Sequence, residues 1–273
     1  MHTPPIDVVH LLPVMDKLLI DLLKGLSAED WHRQSIAELW KVKDIAAHLL
    51  DGNIRSLSML RDDYFGEAPG DKTLLDFLNG LNADWVKAMK RASPQMLILL
   101  HETTGKLYCD YYASLDPFTK AGFNVAWAGE EESKNWMHIA REYTEKWLHQ
   151  QQIRDAVNKP GLMTKEFYYP LMNIFMQALP YTYREMQADT GTSLKIIIPG
   201  QAGGSWYLVK TKEAWALQEK ENDIPSSVVS IDAGIAWKLF SKSIRASEAM
   251  DKINITGNHN LALPVLDMVS VMA

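Results

Sequence analysis

Apolar residues recur at helical spacing through the first 160 residues, and the pattern changes to short extended runs beyond them. Within residues 6–26, Val9, Leu12, Met15, Leu18, Leu19, Leu22 and Leu23 form one stripe that stops near Gly25. The same spacing predicts helices over residues 44–64 and 74–92. Ser93-Pro94 is a start signal, with serine as N-cap and proline in the first turn, for a helix running towards Tyr112. A last long helix is predicted over residues 133–157, closed by Asn158-Lys159-Pro160-Gly161. Long amphipathic helices joined by turn-rich segments predict a bundle.

After Pro160 one more helix is predicted, over residues 166–186, followed by extended runs at 194–198, 205–209, 227–231 and 252–255. Gly200 and Gly203-Gly204 lie between the first two runs, as a hairpin connection requires. Helices over 234–240 and 261–272 complete the pattern. Strands and helices interspersed with short turns predict a small α+β domain. The expected organisation is therefore α+β: a helical domain over residues 1–160, then an α+β domain over 164–273. The chain shows no internal repeat and no low-complexity segment.

Composition narrows the functional classes. The formal net charge is −6 with no basic block, which argues against a nucleic-acid partner. A single cysteine, Cys109, leaves no intramolecular disulfide and no cysteine-based zinc knuckle. Cys109 sits among Leu107, Tyr108, Tyr111 and Tyr112, where a thiol is ordinarily inert packing. The amino terminus lacks the basic start and apolar core of a signal peptide. No apolar run approaches the roughly 18 to 20 residues a bilayer requires. A soluble cytoplasmic protein with no membrane partner is expected.

The candidate chemistry lies on the last long helix of the first part. At about 100° per residue, Glu145 and His149 sit one turn apart on one face. A second apolar helix carries His48, and placing the two side by side gives the ligand set His48, Glu145 and His149 for a divalent metal. Three protein ligands with an open fourth position are the catalytic kind of zinc site. The bland alternatives are a hydrogen-bonded core histidine and a solvated helix pair. Against them stands the apolar setting, because an isolated buried carboxylate is costly. Asp44 and Asp51, one turn either side of His48, are candidates to orient its imidazole. His138, about two turns before Glu145, is a spare ligand or an active-site base, or simply a structural histidine. Trp40, Trp127, Trp136 and Trp147 could line a cleft, although aromatics at helical spacing are ordinarily core.

Trp40 followed eight residues later by His48, and the Glu145–His149 pair followed by Gln150-Gln151-Gln152-Ile153-Arg154-Asp155-Ala156, resemble the mycothiol-dependent maleylpyruvate isomerase family, within the wider DinB-like four-helix bundles. Residues 175–184, Gly200-Gln201-Ala202-Gly203-Gly204-Ser205-Trp206 and Gly257-Asn258-His259-Asn260-Leu261-Ala262 are similar to landmarks of the family's carboxy-terminal domain. The likeness spans nearly the whole chain, and its specificity lies in the order and spacing of loose motifs. It departs from the family at Gln152 and Asn258, where relatives often carry aspartate.

The resemblance implies one divalent metal, usually zinc, on His48, Glu145 and His149, and a low-molecular-weight thiol as co-substrate. Nickel, manganese and iron also suit such ligands. It further implies an arginine of the second domain as cationic partner to a substrate anion, with Arg245 the first candidate and Arg184 the second. The implied activity is thiol-dependent isomerisation or conjugation of a small electrophile. Metal-dependent hydrolysis of an amide or thiol conjugate and a non-enzymatic ligand-binding module are the alternatives. Oligomeric state is left open.

Overall fold

The computed structural model describes residues 3–219 and 224–271, and the chain divides into two compact units. One comprises Met1–Gly122 and Lys134–Gly161, the other Phe123–Ser133 and Leu162–Ala273. The short segment Phe123–Ser133 thus belongs with the carboxy-terminal unit, although its place in sequence is inside the helical part.

The first unit is a bundle of α1 (Leu12–Lys24), α2 (Val42–Ser56), α4 (Pro94–Ser114) and α5 (Asn135–Ala156), with α3 (Leu74–Met89) against α2. Each bundle helix packs on two neighbours, in the circuit α1, α4, α2, α5 and back to α1. α1 begins at Leu12 rather than near Ile6, because Pro13 takes the first turn and Val9–Leu11 forms only a 3-10 turn. α2 ends at Ser56 and runs on into a π turn, Leu57–Arg61, so helical structure stops short of Tyr64. The predicted start at Ser93-Pro94 is present, with Ser93 Oγ accepting from the Met96 amide at 3.2 Å. Leu19, Leu22 and Leu23 of α1, Ile45, Ala46, Leu49 and Leu50 of α2, Leu97 of α4 and Ile153 of α5 share one core.

The second unit is a five-stranded sheet covered by helices. Its strands are β1 (Ser193–Ile198), β2 (Gly204–Lys210), β3 (Trp215–Gln218), β4 (Ser227–Ile231) and β5 (Ile253–Gly257), in the order β3-β2-β1-β4-β5. β1 pairs antiparallel with β2, Ile196 opposite Trp206, and parallel with β4, Ile196 opposite Val229. Leu194, Ile196 and Ile198 bury one face of β1, and Ser227, Val229 and Ile231 the matching face of β4. The helix predicted over residues 166–186 is broken in two, α6 (Lys165–Phe175) and the short α7 (Leu179–Thr182), by a 3-10 turn. Pro180, which has no amide hydrogen to donate, opens α7. β3 was not anticipated. α8 (Ala233–Phe240) and α9 (His259–Leu266) complete the unit. α9 ends five residues before Val271, and Met272, the expected end of that helix, lies outside the described residues. Phe175 and Phe240 meet edge to face, and Tyr183 donates to the Leu261 carbonyl at 2.6 Å.

Candidate metal centre

α2 turns Val42, Ile45, Ala46, Leu49 and Leu50 into the bundle core, which places His48 on the flank facing α5. On α5, Glu145 and His149 occupy one face a turn apart. One ligand atom from each of His48, Glu145 and His149 lies within 4.8 Å of the other two. His149 Nε2 is 3.4 Å from Glu145 Oε2. Donor atoms about 2.0–2.2 Å from a tetrahedral ion lie roughly 3.4 Å apart, so this pair already has the required spacing. The two imidazoles meet edge to face at 4.6 Å, and Trp40 lies against both, at 4.6 Å from His48 and 5.8 Å from His149.

The protonation states suit a ligand set. Burial pushes the Glu145 carboxyl up, but its contact with His149 and the charge of Arg141 outweigh it and hold the group at about 2. Burial, reinforced by the neighbouring His149, drives His48 well below the ordinary imidazole range and keeps it neutral. An ionised carboxylate and a neutral imidazole are the metal-binding forms. His48 Nδ1 is moreover buried with no hydrogen-bond partner. The residues present therefore fit a divalent ion.

Each α5 ligand has a partner about one turn along the same helix. Arg141 Nη2 approaches Glu145 Oε1 at 3.8 Å, and Gln152 Oε1 lies 2.9 Å from His149 Nδ1. Gln152 is a residue of the site that sequence reasoning noticed only as a lost charge, although its i,i+3 spacing from His149 was readable. The expected partners of His48 are engaged elsewhere. Asp44 accepts from the Lys41 amide at 3.0 Å and caps α2, and Asp51 forms an ion pair with Arg55 at 2.9 Å. Neither carboxylate orients the imidazole.

His138 is not one of the three converging residues. It is buried, with Nε2 3.4 Å from the Tyr112 hydroxyl and 3.7 Å from Glu142 Oε1. Glu142 in turn accepts from Tyr108 at 2.7 Å and from Arg141 at 2.5 Å. Lys146 bonds to Asn53 Oδ1 and lies over the Tyr108 ring at 4.3 Å. A chain of polar groups thus runs through the bundle beside the ligands. Cys109 is buried, and burial pushes its thiol up to about 12, in keeping with an inert role. Arg184 and Arg245 belong to the other unit, and both are exposed. Arg184 stacks on Tyr181 at 3.9 Å and donates to its carbonyl at 2.7 Å, and the Arg245 amide donates to Glu248 at 2.7 Å.

A helical bundle carrying a His-Glu-His cluster, joined to an α+β unit, defines the class. Residues 15–154 match the Mycothiol maleylpyruvate isomerase N-terminal domain, and the chain belongs to that family. Two crystal structures share the fold. The mycothiol-dependent maleylpyruvate isomerase is 10% identical, with a TM-score of 0.56 and 91% of each chain covered. A histidine-to-alanine mutant of the mycothiol-dependent maleylpyruvate isomerase is 11% identical, with a TM-score of 0.55 and the same coverage. No curated protein matches the sequence. Among the described residues, no helix is long and apolar enough to cross a membrane.

Proposed function

We propose that this chain is a metal-dependent enzyme that uses a low-molecular-weight thiol to isomerise or conjugate a small electrophile. The observation that carries the reading is the convergence of His48, Glu145 and His149. Zinc is the first ion to test. A divalent ion on these three residues would act as a Lewis acid, lowering the pKa of a thiol or water at its open position. Arg141 steadies the Glu145 carboxylate from one turn away, and Trp40 walls both imidazoles on one side. A thiolate adding to an activated alkene forms a carbon–sulfur bond, leaves a single bond free to rotate, and departs again on elimination. We assign the cation that meets a substrate carboxylate to Arg245, with Arg184 as second candidate. We assign His138 to the buried polar chain, since its Nε2 lies 3.4 Å from the Tyr112 hydroxyl and 3.7 Å from Glu142 Oε1.

Metal content per chain, measured by elemental mass spectrometry on wild type and His149→Ala, tests the site. Near-stoichiometric metal that the variant loses is the expected result, and a metal-free wild type after supplying zinc overturns it. Turnover of an activated alkene with and without mycothiol, the thiol named for the solved relatives, then tests the reaction. Metal-dependent hydrolysis without any thiol would replace the transferase or isomerase reading with that of a hydrolase.

A further inference from the structure

Gln152 is buried, 4% exposed, and one turn beyond His149 on α5. Its side-chain oxygen faces His149 Nδ1 at 2.9 Å. An amide oxygen only accepts hydrogen bonds, so this contact requires the imidazole proton to sit on Nδ1. In the neutral ring the lone pair is then on Nε2, which lies 3.4 Å from Glu145 Oε2. Two acceptors so close repel unless a cation lies between them. The other imidazole lacks such a device, since His48 Nδ1 is buried without a hydrogen-bond partner. The two histidines are thus supported unequally, His149 by a fixed partner and His48 by packing against Trp40.

We infer that Gln152 is a positioning residue of the metal centre, fixing the His149 tautomer so that Nε2 is presented to the ion. The inference rests on the metal reading above. The choice of an amide has an electrostatic consequence. A divalent ion with one carboxylate ligand keeps a net charge of about +1, and a neutral Gln152 leaves it there, whereas a carboxylate in its place would cancel it. The amide therefore favours an anion, such as a thiolate, at the open position.

The test combines tautomer and affinity. Histidine ring-nitrogen chemical shifts of the metal-free wild type, read by NMR, should show His149 protonated on Nδ1. Zinc affinity is then measured by chelator competition for wild type, Gln152→Leu and Gln152→Glu. Gln152→Leu removes the acceptor and should weaken binding by about 10–100-fold, the usual cost of losing such a partner. Gln152→Glu keeps the acceptor at the same reach and should recover most of that loss. Azide should bind the cobalt-substituted wild type more tightly than the cobalt-substituted Gln152→Glu protein. A wild type that binds no zinc overturns both the metal reading and this one. Zinc bound by the wild type and held equally well by Gln152→Leu overturns this inference alone. So does an Nε2-protonated His149, the arrangement in which the amide donates to Nδ1 and the ring donates to Glu145. The NMR readout stands even if Gln152→Leu does not fold.

Discussion

His48 and His149 meet edge to face with ring centroids 4.6 Å apart, one carried by α2 and the other by α5. The contact brings together segments far apart in sequence, and a shared ion would tie them. Zinc should therefore raise the thermal unfolding temperature of the wild type, and a chelator should lower it. At a free concentration 100 times Kd the gain is about 2.7 kcal/mol. His48→Ala and His149→Ala should show neither response. Full metal retention in both would sink the assigned ligand set.

Gly105 of α4 sits against Asp16 of α1, so close that a Cβ at Gly105 would come within 2.3 Å of both carboxylate oxygens. Alanine is the better helix former by about 1 kcal/mol, and in open space Gly105→Ala would stabilise the helix. Here the clash should dominate, with a net loss of about 1–3 kcal/mol, the usual range for overpacking. The double variant Asp16→Ala/Gly105→Ala should relieve it. Denaturant unfolding of the four proteins forms a double-mutant cycle, and additive losses would refute the steric account.

Tyr108 donates to Glu142 at 2.7 Å inside the bundle. Tyr108→Phe keeps the ring and leaves one buried carboxylate oxygen short of a donor, at a cost of about 1–3 kcal/mol. Arg141 still holds the other oxygen, so zinc content should be unchanged. A stability loss accompanied by loss of zinc would instead place this polar chain within the binding machinery.

His101 is fully buried on α4, with Nε2 2.9 Å from the Ala46 carbonyl. Burial, aided by the charge of Lys146, lowers it from 6.5 to about 4. A base with a depressed folded pKa binds its proton first in the unfolded chain, so stability is full above pH 6.5 and falls as pH drops towards 4. The expected loss is about 3 kcal/mol, levelling off below pH 4. His101→Gln should show a shallower acid slope over that window in urea midpoints. Equal slopes would assign the acid sensitivity to other groups.

Signals confined to one helix were readable in the chain. Ser93 caps α4, and Glu145 and His149 share a face because helical geometry alone places them there. The apolar run around His48 marks its helix as packed, whereas α5 as the neighbour on the His48 side emerges only in the fold. Competition among partners was not readable. Asp51 could reach either His48 or Arg55, and the i,i+4 cation claims it. Asp44 could have been read as a cap, since a carboxylate at the third helical position commonly reaches back to the amide before the helix. β3 escaped because it is four residues long and owes its extended form to pairing with β2, Leu217 opposite Leu208. The parallel pairing of β1 with β4 joins residues with two strands between them in sequence, and no local pattern encodes that register.

The two compact units are interleaved along the chain, because Phe123–Ser133 belongs with one and the residues on both sides of it with the other. Dissection at a single bond is therefore unsuited to this protein. A fragment ending at Gly161 would carry a stranded insert whose Val125 is buried in the whole chain. A fragment starting at Leu162 would lack that same piece, including Gly129, which lies against Tyr181. On the ribosome, α4 is complete well before α5, so the helix supplying two of the three metal-site residues arrives last and only after part of the other unit has been made. The site can assemble only once both compact units have begun to exist.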